Sequence, residues 1–306
     1  MAGSLGIRWF SAVLRAVVKP RLSRTSPPTK ARGHLRLIAR LVFRQPGYAL
    51  ILPRAAAGGA PPMTRISVGR PAARRVILYF HGGGYIAGSP ATHAPMLARL
   101  AKLSGVEVRA PAYRLAPGAR FPAAFKDAKA AFRYLLKAGY RPGDIVLGGD
   151  SAGGGLALAL LAWCCAQGLR PAGAFAMSPW TDLTGSGASM TQNAARDAYL
   201  PAERLDELAG LYLGDAPRDD PRASPLFAVF DRPPPVLLQV SESEILRDDT
   251  LRMAARLRAQ GGDVTVQTWE DAPHVWQVFD GWLPEARAAL RAVASFVQTS
   301  FAPATR

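Results

Sequence analysis

A glycine-flanked serine at position 151 is the residue of this sequence whose surroundings most favour chemical reactivity. It lies in Gly149-Asp150-Ser151-Ala152-Gly153, which fits the pattern G-x-S-x-G, between a predicted strand over 145–147 and an apolar helix that begins at Ala152. Small flanking residues let the backbone turn sharply, so that the Ser151 hydroxyl is exposed at the helix N-terminus, where developing negative charge is stabilised. The pattern predicts a serine nucleophile, although glycine-rich turns of this kind also bind phosphates.

Three successive glycines follow another predicted strand, over 75–80. In His81-Gly82-Gly83-Gly84 the missing Cβ atoms let backbone N–H groups approach a small anion. We expect the N–H groups of Gly83, Gly84 and Ala152 to bind the oxygen of a tetrahedral intermediate, an effect worth roughly 3 to 4 kcal/mol for one donor. His81 lies beside these glycines, and we expect it to hold the loop by hydrogen bonds rather than to transfer protons.

One of the four histidines is left as the general base once the other three are placed. His34 lies in a basic N-terminal segment, and His81 and His93 flank the glycine loop. His274 instead follows the last predicted strand, over 264–268, on a short loop, so the chain order is serine, acid, histidine. A lone histidine is usually structural, but this order and position favour a catalytic role.

The acid that orients His274 is expected in the loop after the preceding predicted strand. The candidates there are Glu242, Glu244, Asp248 and Asp249. Asp248 and Asp249 fall in the first turn of a predicted helix, where carboxylates complement the helix dipole. Glu244 lies in the loop itself, so we predict that it is the partner of His274, with Asp248 as the alternative.

Short β-rich runs alternate with helical patterns along most of the chain. The runs are residues 75–80, 106–110, 145–147, 172–177, 236–240 and 264–268, and the helices lie near 91–103, 121–137, 152–167, 247–259 and 284–297. Such alternation predicts right-handed βαβ crossovers and a mostly parallel sheet covered on both faces. Functional residues in that architecture lie in loops at the carboxyl ends of the strands.

The N-terminal segment differs from the rest of the chain in its charge. The formal net charge is +16, no Asp or Glu precedes Glu107, and the first 44 residues include ten Lys and Arg residues. Residues 1 to about 44 are predicted to form two helices separated by a break at 23–29, which contains Pro27 and Pro28, and residues 55–62 a linker. Aromatic residues that could stack on bases are not interleaved with the arginines, so a solvated helix face is favoured over nucleic-acid binding.

Several features bear on the location of the protein. An apolar content of 49% is enough for a sizeable core, yet no run reaches the roughly 18 to 20 apolar residues of a membrane-spanning helix. Cys164 and Cys165 are adjacent, so they lack the spacing of a disulfide framework or a metal site. We therefore expect a cytoplasmic protein without stable membrane insertion; a transit peptide over residues 3–18 is the alternative, with Leu5, Trp9, Val13 and Val17 on one side.

Taken together, these motifs resemble the hormone-sensitive-lipase-like family of α/β-hydrolases, and its bacterial esterases in particular. The segments that agree in order with that family are His81-Gly82-Gly83-Gly84, Tyr113-Arg114-Leu115-Ala116-Pro117, Gly149-Asp150-Ser151-Ala152-Gly153-Gly154, Ser178-Pro179-Trp180 and Asp271-Ala272-Pro273-His274. The likeness runs from about Val76 to the C-terminus. It implies an α/β-hydrolase fold under a helical cap, with residues 1–58 as cap helices and linker, residues 59–306 as catalytic domain, and a cap insertion near 183–213.

The resemblance also bears on individual residues. The family's Asp-Pro-Leu-x-Asp-Glu segment aligns with residues 244–249, which places Glu244 at the position of the family's catalytic aspartate. Gly118 stands where a glutamate commonly follows the Tyr-Arg-Leu-Ala-Pro segment, so a local carboxylate that would support this loop is missing. Asp150, which precedes the nucleophile, is expected to be structural.

The motifs and the resemblance together predict a carboxylesterase-type serine hydrolase. It would act through an acyl-enzyme on small to medium acyl esters, with Ser151, His274 and Glu244 as its triad and with neither cofactor nor metal. A lactonase, an amidase or a lipase could use the same triad, and a small-molecule receptor of this fold is disfavoured because the triad is complete. We expect a small ester as partner and no nucleic acid, and similar proteins often form homodimers.

Overall fold

The computed structural model of this protein describes residues 3–25, 27 and 30–302, apart from the side chains of residues 31, 34, 35, 38, 40 and 41. Within these residues one eight-stranded sheet has the order β1-β2-β4-β3-β5-β6-β7-β8. The strands are β1 (Ala49–Arg54), β2 (Met63–Val68), β3 (Val76–Phe80), β4 (Glu107–Pro111), β5 (Ile145–Asp150), β6 (Gly173–Met177), β7 (Val236–Ser241) and β8 (Val264–Trp269). Strand β2 is antiparallel to β1 and β4, and all other pairs are parallel, which confirms the predicted mostly parallel sheet.

Helices cover both faces of this sheet. They are α1 (Leu5–Val13), α2 (Lys19–Arg24), α3 (Ala31–Val42), α4 (Pro90–Ser104), α5 (Ala123–Lys137), α6 (Ser151–Ala166), α7 (Ser189–Gln192), α8 (Ala202–Leu213), α9 (Arg247–Ala259) and α10 (Pro284–Ser300). A π-helical turn, Leu14–Val18, joins α1 to α2 just before Pro20. Because proline has no N–H to donate, a local change in hydrogen-bond register lets the helical path continue past it.

The central strands bury their side chains on both sides. Along β3, Val76, Leu78 and Phe80 belong to a core that includes α5, α6 and α9. Ile77 and Tyr79 belong to the core on the other face, which includes α4 and α10. The alternation follows from the two-residue period of a strand, and burial on both faces explains why the parallel strands are nearly continuous apolar runs in the sequence.

Two strands, β1 and β2, were not predicted. Strand β1 lies within the residues that the sequence analysis assigned to cap helices and linker, and it pairs with β2 along its full length. Leu50 and Leu52 are 49% and 40% exposed because β1 is an edge strand, and Pro53 is tolerated there because an edge strand leaves some N–H groups unpaired. A strand with so little burial has no strong period-two pattern to read.

The N-terminal helices agree with the predicted pair, although residues 26, 28 and 29 of the predicted break and the side chain of His34 lie outside the described residues. Helix α1 packs by Ile7 and Phe10 on a small core near the C-terminus that includes Trp269, Trp276 and Phe279. The N-terminal segment therefore rests on the region that follows β8. No helix among the residues described here combines the length and apolar character needed to cross a bilayer.

Candidate active site

Ser151 lies at a strained turn between β5 and α6. Its φ angle is +52°, in the left-handed region that residues with side chains seldom adopt. The turn requires glycines around it, because a Cβ on Gly149 would lie 2.2 Å from the carbonyl oxygen of Gly153, and one on Gly153 would lie 2.1 Å from that of Phe80. The half-buried Ser151 side chain is thereby held at the N-terminus of α6, as the nucleophile hypothesis requires.

The glycine loop after β3 presents backbone N–H groups beside this turn. Gly83 and Gly84 have φ angles of +121° and +61°, and the carbonyl of Gly83 accepts hydrogen bonds from the N–H groups of Ile86 and Ala87. Among the hydrogen bonds of the described residues, none uses the N–H of Gly83 or Gly84 as donor. The N–H of Ala152, in the first turn of α6, has no acceptor within its own helix. Three N–H groups are therefore available to an anion.

Asp150 holds the glycine loop in place through hydrogen bonds. Its Oδ1 accepts hydrogen bonds from the N–H of Gly82 at 2.9 Å and from the hydroxyl of Tyr79 at 2.6 Å, while Oδ2 lies 3.2 Å from Nε2 of His93. His81 Nδ1 lies 2.8 Å from the carbonyl oxygen of Gly82, and because a carbonyl only accepts, Nδ1 carries the proton. Burial, with the nearby charge of His93, lowers the pKa of His81 to about 3. Asp150 and His81 thus act as structural supports.

His274 and Glu244 form a buried pair. Nδ1 of His274 lies 2.6 Å from Oε2 of Glu244, and Oε1 of the same carboxylate accepts hydrogen bonds from the N–H of Ser241 at 2.7 Å and the hydroxyl of Ser178 at 2.8 Å. Burial alone would lower the pKa of His274, but the hydrogen bond and charge of Glu244 outweigh it and raise this pKa above 6.5. Burial raises the pKa of Glu244, and the hydrogen bond from His274 opposes that change. The carboxylate therefore favours the protonated imidazole.

The other carboxylates that competed for the role of acid are engaged elsewhere. Their partners are the Arg247 guanidinium for Glu242, the N–H of Ser189 for Asp248, and the N–H groups of Thr181 and Asp182 for Asp249. The structure therefore brings Glu244, and not Asp248, to His274. The loop that contains Gly118 is held from α5, where Asp127 accepts hydrogen bonds from the N–H and the guanidinium of Arg114.

A loop after β6 connects the two halves of the site. The Ser178 hydroxyl that donates to Glu244 also accepts a hydrogen bond from the N–H of Val275 at 3.3 Å. Two residues further on, the N–H of Trp180 donates to the carbonyl of Ser151 at 3.0 Å. In the sequence, Ser178-Pro179-Trp180 stands out only as a segment that resembles the family. Its position after a predicted strand, over 172–177, was the signal for a functional role.

Residues near the proposed cap insertion also support the acid, and sequence reasoning missed them. Asn193 Nδ2 donates hydrogen bonds to the carbonyl oxygens of Glu242 and Glu244, at 3.0 and 2.8 Å. Asp197 Oδ2 accepts from the N–H of Ile245 at 2.9 Å. These contacts join positions about 50 residues apart in sequence, so no local sequence pattern predicts them.

The hydrogen bonds of the described residues include none between the side chains of Ser151 and His274. Catalytic hydrogen bonds are often long or misaligned in free enzymes and tighten when substrate binds. The positions of both residues at the carboxyl ends of strands, joined through Ser178 and Trp180, nevertheless place them in one loop cluster.

A pocket of about 160 Å³ opens beside Trp180. Its wall includes Trp180, Leu183, Met190 and Leu205, with the ion pair of Asp206 and Arg218 at its edge. The pocket lies between the loop after β6 and helix α8. It offers a mostly apolar recess next to the residue whose N–H is bonded to Ser151.

Comparison with known proteins agrees with this geometry. A family model described as the alpha/beta hydrolase fold matches residues 77–278, more than half of the chain. An acetyl-hydrolase of Streptomyces hygroscopicus is 39% identical over 257 residues, which cover 79% of this chain and 84% of that protein.

Solved structures extend the match to nearly the whole chain. A crystal structure of an esterase from the bacterial hormone-sensitive lipase family is 36% identical, has a TM-score of 0.91, and covers 99% of this chain and 100% of its own. The structure of EstE5 soaked with p-nitrophenyl butyrate is 34% identical, with a TM-score of 0.91 over 98% and 100% of the two chains. The chain belongs to the α/β-hydrolase family, in its bacterial hormone-sensitive-lipase branch. Within that family it is a carboxylesterase-type hydrolase.

Proposed function

We propose that this protein hydrolyses carboxylic esters of small to medium acyl chains through an acyl-enzyme on Ser151. His274 is the base, Glu244 is the acid that orients it, and the N–H groups of Gly83, Gly84 and Ala152 bind the oxyanion. The observation that carries this proposal is the buried 2.6 Å hydrogen bond between His274 and Glu244. It leaves Nε2 of His274 as the nitrogen that can exchange a proton with substrate, as in other serine hydrolase triads.

The proposed reaction has two halves. Ser151 Oγ attacks the ester carbonyl carbon while its proton passes to Nε2 of His274, and the oxyanion is bound by the three N–H groups. Collapse of this intermediate breaks the bond to the alcohol oxygen, which takes the proton from His274. Water then attacks the acyl-enzyme with His274 again as base, which releases the carboxylic acid and restores Ser151.

The pocket beside Trp180 supports the preference for small groups. Its volume of about 160 Å³ is close to the roughly 150 Å³ of an engineered apolar cavity that binds benzene. A short aliphatic or single aromatic group of the ester would fit there. The related protein EstE5 was soaked with p-nitrophenyl butyrate, an ester of this size.

The decisive experiment combines activity with covalent labelling. Ser151→Ala should abolish turnover of p-nitrophenyl esters. Its melting temperature should show that the variant is still folded. An organophosphonate should add to Ser151, as read by peptide mass spectrometry. A label on another residue of an active enzyme would refute the assignment, and faster turnover of lactones or anilides than of esters would replace esterase by lactonase or amidase.

We also propose the location and assembly expected from the sequence, and a domain division changed in one respect: β1, which pairs with β2 in the sheet, belongs to the catalytic domain. Helices α1–α3 together with α7 and α8 would form the cap over the catalytic domain. In the cytoplasm, the buried thiols of Cys164 and Cys165 would stay reduced. A homodimer is tested by sedimentation velocity, where a monomeric mass at all concentrations would exclude it.

A further inference from the structure

The N-terminal helical segment, residues 5–24, exposes large apolar side chains on the side that faces away from the core. Leu5, Trp9, Val13 and Val17 recur every fourth residue and are 84%, 70%, 37% and 44% exposed. We call these four residues the outer stripe. Single exposed apolar residues are normal on protein surfaces, whereas a contiguous apolar stripe marks an interaction site.

Basic side chains border the outer stripe, and their positive charge is only partly compensated, since the carboxylates of Asp197 and Glu203 lie near Lys19. Arg15 donates to the carbonyl of Arg196, Lys19 to those of Ala194 and Asp197, and Arg21 to that of Val17. A carbonyl oxygen satisfies a donor without neutralising its charge. Arg8 lies 3.5 Å from the Asp271 carboxylate and keeps 63% of its side chain exposed. Because no Asp or Glu precedes Glu107, the segment itself contributes no negative charge.

We propose that the outer stripe docks on an anionic lipid surface, with the helix lying in the plane of the interface. A helix that presents apolar residues including tryptophan, bordered by lysine and arginine, has the composition of interfacial helices. Each basic residue near an anionic membrane adds to this attraction. A second copy of this chain fits less well, because it would bring the same basic border against itself.

The buried side of the same segment contacts the loop that carries His274. The Ser11 hydroxyl donates to the carbonyl of Asp271 at 2.7 Å, and the ring of Phe10 packs edge-on against Phe279 at 4.8 Å. Docking would therefore place the candidate site near the lipid surface, where apolar esters accumulate. The proposal concerns binding alone, so it does not depend on the assignment of Ser151 or on turnover.

Vesicle co-sedimentation of the full chain tests the proposal. The wild-type protein should bind vesicles of phosphatidylglycerol mixed with phosphatidylcholine, bind pure phosphatidylcholine vesicles far more weakly, and lose binding as salt is raised. Leu5→Glu/Trp9→Glu should lower the partition coefficient at least roughly tenfold, because it places charges in the apolar face. Arg21→Gln/Arg24→Gln should lower it by a similar factor at low salt.

A matched control separates the outer stripe from net charge. Val229→Glu/Arg232→Gln also lowers the formal charge by two and alters residues that are likewise exposed, 71% for Val229 and 78% for the Arg232 side chain. It should bind vesicles like the wild type, and circular dichroism should show all three variants folded. Absence of wild-type binding, equal binding to both vesicle types, or full binding by Leu5→Glu/Trp9→Glu would overturn the proposal. If the wild type does not bind vesicles, and Leu5→Glu/Trp9→Glu has a lower molecular mass in solution than the wild type, the outer stripe mediates self-association instead.

Discussion

Glu244 carries three hydrogen bonds at once, and this is what makes it a good partner for His274. Its two oxygens accept from Ser178, Ser241 and the imidazole, so the carboxylate has one orientation. A rigid carboxylate holds His274 in the tautomer with a proton on Nδ1 and stabilises the imidazolium formed during the reaction. Glu244 thus has the hydrogen bonds that the proposed acid needs, at the position where the family resemblance places an aspartate.

The first prediction separates Glu244 from Asp248. Glu244→Gln should lower kcat severely, by up to about 10⁴-fold, because His274 loses its enforced tautomer and the stabilisation of its charged form. Asp248→Asn is the matched control. The Asp248 carboxylate lies in the first turn of α9 and accepts a hydrogen bond from the N–H of Ser189 in α7. It should keep turnover and lose roughly 0.3 to 1 kcal/mol of stability. An inactive but folded Asp248→Asn beside an active Glu244→Gln would reassign the acid.

The second prediction concerns pH. His274 accepts a proton only when neutral, and Glu244 holds its pKa above the ordinary 6.5. The rate kcat/KM should therefore fall as the pH is lowered through a value above 6.5, because the base becomes protonated. In Glu244→Gln the residual activity should decline at a lower pH, since the group that raises the pKa is gone. A wild-type midpoint at or below 6.5 would contradict the proposed pairing.

At the level of elements, helix α3 is tied to the glycine loop. The Arg32 guanidinium donates hydrogen bonds to the carbonyls of Ile86 and Ala116, at the end of the loop that presents Gly83 and Gly84. The N–H of Ala116 in turn donates to the carbonyl of Tyr85 at 3.0 Å. A side chain from the N-terminal segment therefore holds two loops of the candidate site together.

The third prediction follows from this contact. Arg32→Gln should lower kcat about tenfold with a smaller change in KM, because a displaced donor of the oxyanion weakens transition-state binding, and complete loss of a donor costs about 10² to 10³. Arg36→Gln, an exposed position on the same helix, is the control and should behave like the wild type. Steady-state kinetics on both variants, with their melting temperatures, is the measurement. An unchanged kcat in Arg32→Gln would show that α3 does not position the loop.

The fourth prediction concerns helix α7, which contributes Met190 to the pocket beside Trp180. Met190→Trp should fill part of this space and shift the preferred p-nitrophenyl ester towards shorter acyl chains. Met190→Leu conserves volume and should leave the preference unchanged. Profiles of kcat/KM against chain length provide the comparison. If the tryptophan variant kept the wild-type profile, this pocket would not hold the acyl group.

For the whole molecule, buried histidines couple stability to pH. His81 has a folded-state pKa of about 3 against an ordinary value of 6.5, so between these values the unfolded chain binds the proton and the folded chain does not. The free energy of unfolding should therefore decrease as the pH falls below 6.5. His93 acts in the opposite sense, because the nearby Asp150 carboxylate raises its pKa against the lowering effect of burial.

The fifth prediction isolates His81. His81→Asn keeps an N–H donor for the carbonyl of Gly82 but does not titrate, so it should remove the His81 contribution to this slope. Below pH 6.5 the difference in slope between wild type and variant should approach about 1.4 kcal/mol per pH unit. Urea unfolding at several pH values measures it. Parallel slopes for the two proteins would mean that His81 is protonated in the folded state.

Local features of the molecule were determined by the sequence alone. The strained turn at Ser151 and the glycine loop at Gly83 depend on residues adjacent in the chain, because small size and positive φ angles are local requirements. The parallel strands were recognisable because burial on both faces demands continuous apolar runs. The fold class and the ester hydrolase function followed from these segments in order.

Other features were decided only by the tertiary structure. The sequence favoured Glu244 over Asp248 by its position in the loop, but the hydrogen bond that joins it to His274 spans 30 residues, and Ser178 reaches Glu244 across 66. Strand β1 is defined by its partner β2 rather than by its own weak pattern. The sequence placed Leu5, Trp9, Val13 and Val17 on one side of a helix, but packing of the opposite side by Ile7 decided that this stripe faces outward. Long-range contacts of this kind leave no periodic trace in the chain, because the residues that meet are brought together by the fold and not by their spacing.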